Sequence, residues 1–391
     1  MTTILPGLML GVLAASAWGQ TSRADSGSSM RIAIRAARVL DPGSKTMRTD
    51  MVVRVDGRRI AAVLPASQYR PRPDEQLLDL GNATLLPGLI DAHVHFSIGG
   101  PARTLAATTL NAGFTTVADL GARTQRIQAV RDSIASGAWD GPRVLAAGLW
   151  IGVKGGVCEF GGIGVSGDAE AFRARVRENV AAGADLIKAC VTGWPAVAWS
   201  HPDSAELSPV ILGAIVDEAH KAGRKVVAHA LSAAGVRRSL DAGVDGLVHA
   251  AYIDEPLARR MRDEGVWLIP TLASLTAGDT SRASRGLADA VLLAHRAGVT
   301  LVYGTDGGVL PHGENAKEAL ALQAAGIPPM DILRMMTSSA AKALGISDSV
   351  GTIAPGMIAD LVAVAGDPEK DLATLLEPVF VMARGKVAKR P

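Results

Sequence analysis

One cadence recurs through the middle of the chain and constrains its fold more than any other feature. Helical residues are followed by a glycine, then a β-branched apolar run, then a polar residue where the run stops. It occurs in NAGFTTVADL, AAGADLIKAC, KAGRKVVAHA, DAGVDGLVHA, DEGVWLIPTL and RAGVTLVYGTD, and GLIDAHVHF and PRVLAAG add two further apolar runs. Glycine takes the left-handed backbone that ends a helix, and unbroken apolar runs suit strands covered on both faces. The pattern is therefore the helix-to-strand junction of a parallel sheet. Eight such strands within residues 87–349 predict an α/β chain with a (β/α)8 TIM barrel. An open doubly wound sheet is the alternative that the same pattern allows.

Both flanks of this region read differently. Residues 30–86 and 350–391 carry short alternating runs broken by Gly turns, such as DMVVRVDGRRIAAVLP and PVFVMARGKVAK. Period-two alternation with such turns predicts hairpins, and hence one small β-sandwich domain built from both chain ends. Ahead of it, ILPGLMLGVLAASAWGQ (residues 4–20) has the apolar length of a signal-peptide core, so residues 1–24 read as a leader and the mature protein as periplasmic or secreted. That segment lacks an N-terminal Lys or Arg, and a start at Met30 is the alternative, giving a cytoplasmic protein.

The polar residues that close the apolar runs are His93, His95, Lys188, His229, His249 and Asp306. In a barrel these positions face the βα loops, where functional groups collect. Residues i and i+2 of a strand share a face, so His93 and His95 aim both imidazoles into one space, a spacing suited to chelation. Neutral imidazole is a good ligand for zinc and similar divalent ions. Four imidazoles and a carboxylate exceed the needs of one catalytic tetrahedral site, so two metals fit better than one. Lys188 is the odd member: an ammonium beside two cations is repelled, so it is either neutral or modified, unless it snorkels to solvent.

Formal charge is +2, with acidic and basic residues interspersed. No field favours nucleic acid or an anionic membrane, which leaves a small-molecule substrate and leaves a homo-oligomer open. Cys158 and Cys190 are the only cysteines. They offer neither a disulfide framework nor a CxxC metal spacing, and Cys190 is expected as a small buried hydrophobe.

Taken together, PGLIDAHVHF, GADLIKAC, VVAHA, GLVHA, YGTDGG and TSSAAKALG…GTIAPGMIADLVAV resemble the metal-dependent amidohydrolase superfamily, and within it the imidazolonepropionase-related hydrolases and dipeptidases. The resemblance implies that His93 and His95 hold the more buried metal with Asp306, and that His229 and His249 hold the second. It implies two divalent ions, zinc expected, bridged by a carboxylated Lys188. It further implies a metal-activated hydroxide that hydrolyses an amide or peptide-like bond, with Asp306 as general base and then general acid. A mononuclear deaminase, a cyclic-amide hydrolase and a non-catalytic scaffold are the alternatives. His312, in the loop after strand eight, is expected to contact substrate or else to lie on the surface.

The chain departs from related sequences after strand five, where they often read His-Ala-His-Gly and this one reads HALS. Leu231 stands where a second His would be, and Ser232 where deaminases carry an acid, which disfavours proton shuttling there. His220 and His295 fall in the last turns of helices and are expected to be structural. His201 is expected in a surface loop. Trp150, Trp194 and Trp199 are expected to wall an apolar pocket.

Overall fold

The computed structural model describes residues 31–193, 204–276 and 282–391. The expected leader, Trp194, Trp199 and His201 lie outside the described residues. Among the described residues no helix is long and apolar enough to cross a membrane.

The N-terminal flank folds into β1 (Arg31–Asp41), β2 (Thr46–Asp56), β3 (Arg59–Pro65), β4 (Glu75–Asp79) and β5 (Ala83–Pro87). Next come the parallel strands β6 (Leu89–Val94), β7 (Phe114–Asp119), β8 (Arg143–Ala146), β9 (Ile187–Cys190), β10 (Val226–Ala230), β11 (Gly246–His249) and β12 (Trp267–Ile269). The C-terminal flank adds β13 (Leu361–Ala365), β14 (Phe380–Ala383) and β15 (Lys386–Lys389).

The flanks meet in one hydrogen-bonded small sheet domain of eight strands. Its order is β15-β14-β13-β5-β1-β2-β3, with β4 also on β1. The reason is the length of β1. Its first residues pair in parallel with β4 and Arg38–Val39 pair with β5, so one edge of an eleven-residue strand serves two partners. Ile34, Leu85, Leu361 and Phe380 pack beneath this sheet, each fully buried.

β6-β7-β8 and β9-β10-β11-β12 form two parallel sheets. Bonds from Ile151 N–H to the Lys188 carbonyl (3.1 Å) and from Cys190 N–H to the Ile151 carbonyl (2.8 Å) connect the β8 side to β9. The eighth expected strand, residues 300–307, is not a regular strand. It bridges β12 at Leu268 and Leu301, and β6 at Val94 and Gly307. Two features interrupt its pleat. Asp306 sits at φ 59°, and Gly304 passes so close to β6 that a Cβ there would lie 3.0 Å from the His93 backbone nitrogen.

Helices cover the strands through apolar faces: Phe172 and Val176 of the helix Ala169–Ala181, and Ile215 and Ala219 of the helix Pro209–Lys221, join Ile187 and Val226 in one core. Burying each of the larger side chains stabilises the fold by roughly 1.5–3 kcal/mol. Each junction is punctuated as the cadence requires. Asp168, Ser208, Ser232 and Asp254 accept N-cap hydrogen bonds, and Gly243 and Gly265 end helices in the left-handed region.

Candidate metal centre

All six expected ligands line one cavity of about 260 Å³ at the carboxyl ends of the parallel strands. His93 Nε2 and His95 Nε2 stand 3.1 Å apart, and Asp306 Oδ1 lies 3.4 Å from the first and 3.1 Å from the second. These three ligand atoms fall within 4.8 Å of one another, a grouping able to hold an ion. His249 Nε2 lies 3.0 Å from His229 Nδ1, and the His93 and His249 rings are 5.8 Å apart, so the two groups adjoin.

Second hydrogen bonds fix which nitrogen of three rings carries the proton. A carbonyl only accepts, so His95 donates from Nδ1 to the Gly121 carbonyl (2.9 Å) and His229 donates from Nε2 to the Gly193 carbonyl (3.4 Å). The Thr271 hydroxyl donates to the Pro270 carbonyl (2.7 Å) and therefore accepts from His249 Nδ1–H (2.6 Å). The inner nitrogens of His229 and His249 are consequently both lone-pair nitrogens facing each other at hydrogen-bond distance. Burial lowers the His229 imidazole to about 4 and holds that of His249 well below its ordinary value, so no proton is shared between them. Two facing lone pairs repel unless a cation lies between them, which is what a metal site supplies.

Lys188 is 2% exposed, and its Nζ has no hydrogen-bond partner among the described residues. Burial brings its ammonium down to about 7, with Asp306 pulling the other way. A neutral amine is thus within reach near pH 7. For Asp306 burial favours protonation, but His93, His95 and His249 outweigh it and hold the carboxyl well below the usual carboxylate range. Asp306 and His249 both adopt positive φ, 59° and 74°, a strain of roughly 1–3 kcal/mol each that clusters at functional positions.

Two buried acids, absent from the sequence expectations, hold these ligands. Asp91, two residues ahead of His93 on the same strand face, accepts from Thr305 Oγ1 (2.6 Å), Asn315 Nδ2 (2.7 Å) and the backbone of His93 and Thr305. It thereby ties the strand carrying His93 to the segment carrying Asp306. Asp119 accepts from the Phe96 N–H (2.7 Å) and the Gly121 N–H (3.2 Å), fixing the turn whose carbonyl orients His95. Burial lifts both carboxyls to about 6. Asp91 had a legible signal, the period-two run Asp-x-His-x-His. Asp119 had none beyond ending an apolar run.

Other expectations resolve individually. His312 stands behind the centre: its Nε2 meets the His95 carbonyl at 3.3 Å, its Nδ1 meets Thr109 Oγ1 at 3.0 Å, and its ring stacks on Phe96. It braces the backbone of an expected ligand and is not among the residues that line the cavity. Ser232 is an N-cap, accepting from the Gly235 N–H and donating to the Ser204 carbonyl. Leu231 is buried in a small apolar cluster. His220 and His295 pair with Asp245 (2.9 Å) and Asp331 (3.0 Å), away from the cavity.

Cysteine pairing is a correction: Cys158 and Cys190 form a disulfide. The loop between β8 and the helix Ala169–Ala181 folds back onto the end of β9, a long-range approach that two isolated cysteines in a sequence do not reveal. The same loop carries Trp150, Val157 and Phe160 into the cavity wall. Trp150 lies against Gly121 so closely that a Cβ at that position would fall 2.3 Å from the indole.

Comparison with known proteins agrees with this geometry. An ochratoxinase of Aspergillus niger is 28% identical over 78% of this chain and 76% of its own. The crystal structure of a Xaa-Pro dipeptidase with bound methionine superposes with a TM-score of 0.84 at 29% identity, covering 91% of this chain and 99% of that one. The ochratoxinase crystal structure, at 21% identity and a TM-score of 0.81, shares the fold. The model of the amidohydrolase family matches residues 84–388, well over half the chain, and the chain belongs to that family as a hydrolase of carbon–nitrogen bonds.

Proposed function

We propose that the protein hydrolyses an amide or peptide-like bond of a small molecule at two divalent ions, zinc expected. His93, His95 and Asp306 would hold one ion, His229 and His249 would hold the other, and Lys188, once carboxylated, would supply a further anionic ligand. The observation that carries this reading is the facing pair of unprotonated nitrogens on His229 and His249, 3.0 Å apart beside a second cluster of three ligand atoms. Such ions, when bound, acidify a water to a nucleophile at neutral pH and polarise a carbonyl.

The chain's own groups perform the remaining tasks. The neutral Lys188 amine adds carbon dioxide, forming a nitrogen–carbon bond and releasing one proton, and the resulting carbamate replaces an isolated cation with an anion. Asp306, kept ionised by its imidazole neighbours, accepts the proton released as water attacks and returns it to the leaving nitrogen. Asp91 and Asp119 hold these groups in register. The apolar walls exclude bulk water from the attack.

We also infer that the parallel strands and residues 300–307 close into a (β/α)8 barrel, which the bonds from Ala92 N–H to the Tyr303 carbonyl (2.8 Å) and from His95 N–H to the Gly307 carbonyl (2.6 Å) support. Export to an oxidising compartment is supported by the Cys158–Cys190 disulfide. The relatives named as an ochratoxinase and a Xaa-Pro dipeptidase favour an amide substrate.

The test is a hydrolysis screen of N-acyl amino acids, dipeptides, lactams and esters with the zinc-loaded protein, with His93→Ala and Lys188→Ala as controls. Amide turnover that is lost in both variants supports the reading. Full turnover in either variant removes the centre from the mechanism.

A further inference from the structure

We infer that Arg123 binds a carboxylate of the substrate, at the outer end of an aromatic stack that begins on a ligand of the centre. This rests on the amide-hydrolase reading above and narrows it to amides bearing a free acid, such as the amide of an amino acid.

Beyond the six ligands, the described cavity lining is apolar except at one place. Ile98, Trp150, Val157, Phe160 and Val309 form the walls, and Arg123 is the single charged side chain among them. Its position follows from stacking. The Trp150 ring lies 5.3 Å from the His95 ring, Phe160 lies 4.8 Å from Trp150, and the Arg123 guanidinium stands 5.5 Å over the Phe160 face. Three contacts thus connect a ligand of the centre to a cation at the rim. The cation–π contact orients the guanidinium plane without using its N–H donors.

Among the described residues those donors have no hydrogen-bond partner. Arginines 131, 173, 175, 177, 260 and 262 all sit in ion pairs with Asp or Glu, whereas Arg123 has no carboxylate partner among the described residues. A guanidinium held by an aromatic face at the lining of an apolar cavity, with no acid beside it among the described residues, matches a carboxylate in a two-bond contact. The cavity's size selects further. At about 260 Å³ it lies just below the usual range for ligand sites, which suits one amide with a single apolar group and not an extended peptide.

Two compounds differing only in the carboxylate provide the test: N-acetyl-L-phenylalanine and N-acetyl-2-phenylethylamine, each offered to the zinc-loaded protein and to Arg123→Gln, with metal content measured for both proteins. The expected result is a preference in kcat/KM for the acid on the order of 10- to 100-fold in the wild type, collapsing toward one in Arg123→Gln at equal metal content. A preference that survives the substitution, or the absence of any preference in the wild type, overturns the role of Arg123 while leaving amide hydrolysis standing. Calorimetric binding of L-phenylalanine and 2-phenylethylamine separates the remaining case. If neither compound is turned over but L-phenylalanine binds more tightly in an Arg123-dependent way, the carboxylate site stands and the amide-hydrolase reading falls. If that dependence is missing as well, both fall.

Discussion

The floor and the wall of the cavity are held in different ways. On the floor, every proposed ligand comes from a strand end or from the segment beside β6, and three rings have their outer nitrogens tied to backbone carbonyls or to Thr271. The wall is an irregular loop after β8. It is held by the Cys158–Cys190 disulfide, by the Glu206 carboxylate accepting from the Val157 N–H (3.0 Å), and by the stack of Trp150 and Phe160. Floor geometry follows from a core that cannot pack otherwise. Wall geometry depends on a few discrete fasteners, so perturbing the floor should abolish chemistry, and perturbing the wall should alter which molecules bind.

The sharpest break is on the floor. His249→Ala should lower kcat/KM by roughly 10³-fold or more, with loss of about one bound ion per chain by elemental analysis. Retained stoichiometry would dissolve the contrast, because the floor would then tolerate a missing ligand. Lys188→Ala should cost about 10²-fold in kcat while the four imidazoles retain some metal, seen as partial occupancy in the same assay.

Stability gives a third expectation. Glu318 accepts from the N–H groups of Leu272 and Ala273, next to the Thr271 that orients His249, and burial lifts its carboxyl to about 8 despite those bonds. An acid whose pKa is raised in the folded state binds more protons there than when unfolded, so stability falls as pH rises from about 4.5 to about 8. Thermal unfolding across that range should show the wild type losing a few kcal/mol relative to Glu318→Gln as pH rises, and parallel pH profiles of the two proteins would remove Glu318 from the pH dependence.

On the wall, replacing both cysteines by alanine should raise KM about 3- to 10-fold with kcat and metal content little changed. Its cost in folding stability is about 3–4 kcal/mol for a loop of this length, readable by denaturant titration. An equal loss of kcat would mean that the disulfide positions Lys188, two residues from Cys190, and the distinction between the regions would narrow.

The same contrast explains how much was legible beforehand. His-Val-His announced a shared face because a strand has a period of two, and Lys188, His229, His249 and Asp306 announced themselves by interrupting apolar runs. Local periodicity carries that information. It does not carry which loop folds back on which strand, so the disulfide, the contact of His312 with the His95 carbonyl and the station of Arg123 over Phe160 stayed hidden. Asp91 was legible only as the start of Asp-x-His-x-His and Asp119 only as the end of an apolar run, and their partners at Asn315 and Phe96 become visible only in three dimensions. Both flanks were recognisably β, yet their union in one sheet depended on β1 sharing an edge between β4 and β5, which no hairpin pattern encodes.

The join between that sheet and β6 bears on how the protein is made. β5 pairs with β13, and the N–H of Gly88, one residue before β6, donates to the Asp360 carbonyl at 2.7 Å. The strand that presents His93 and His95 is therefore moored to a stretch synthesised about 270 residues later. Contacts so distant along the chain form slowly. The nascent chain must wait, incomplete and incompetent for chemistry, until residues 360–365 have emerged and closed the seam, so the strand bearing His93 and His95 is fastened only after that later stretch is made.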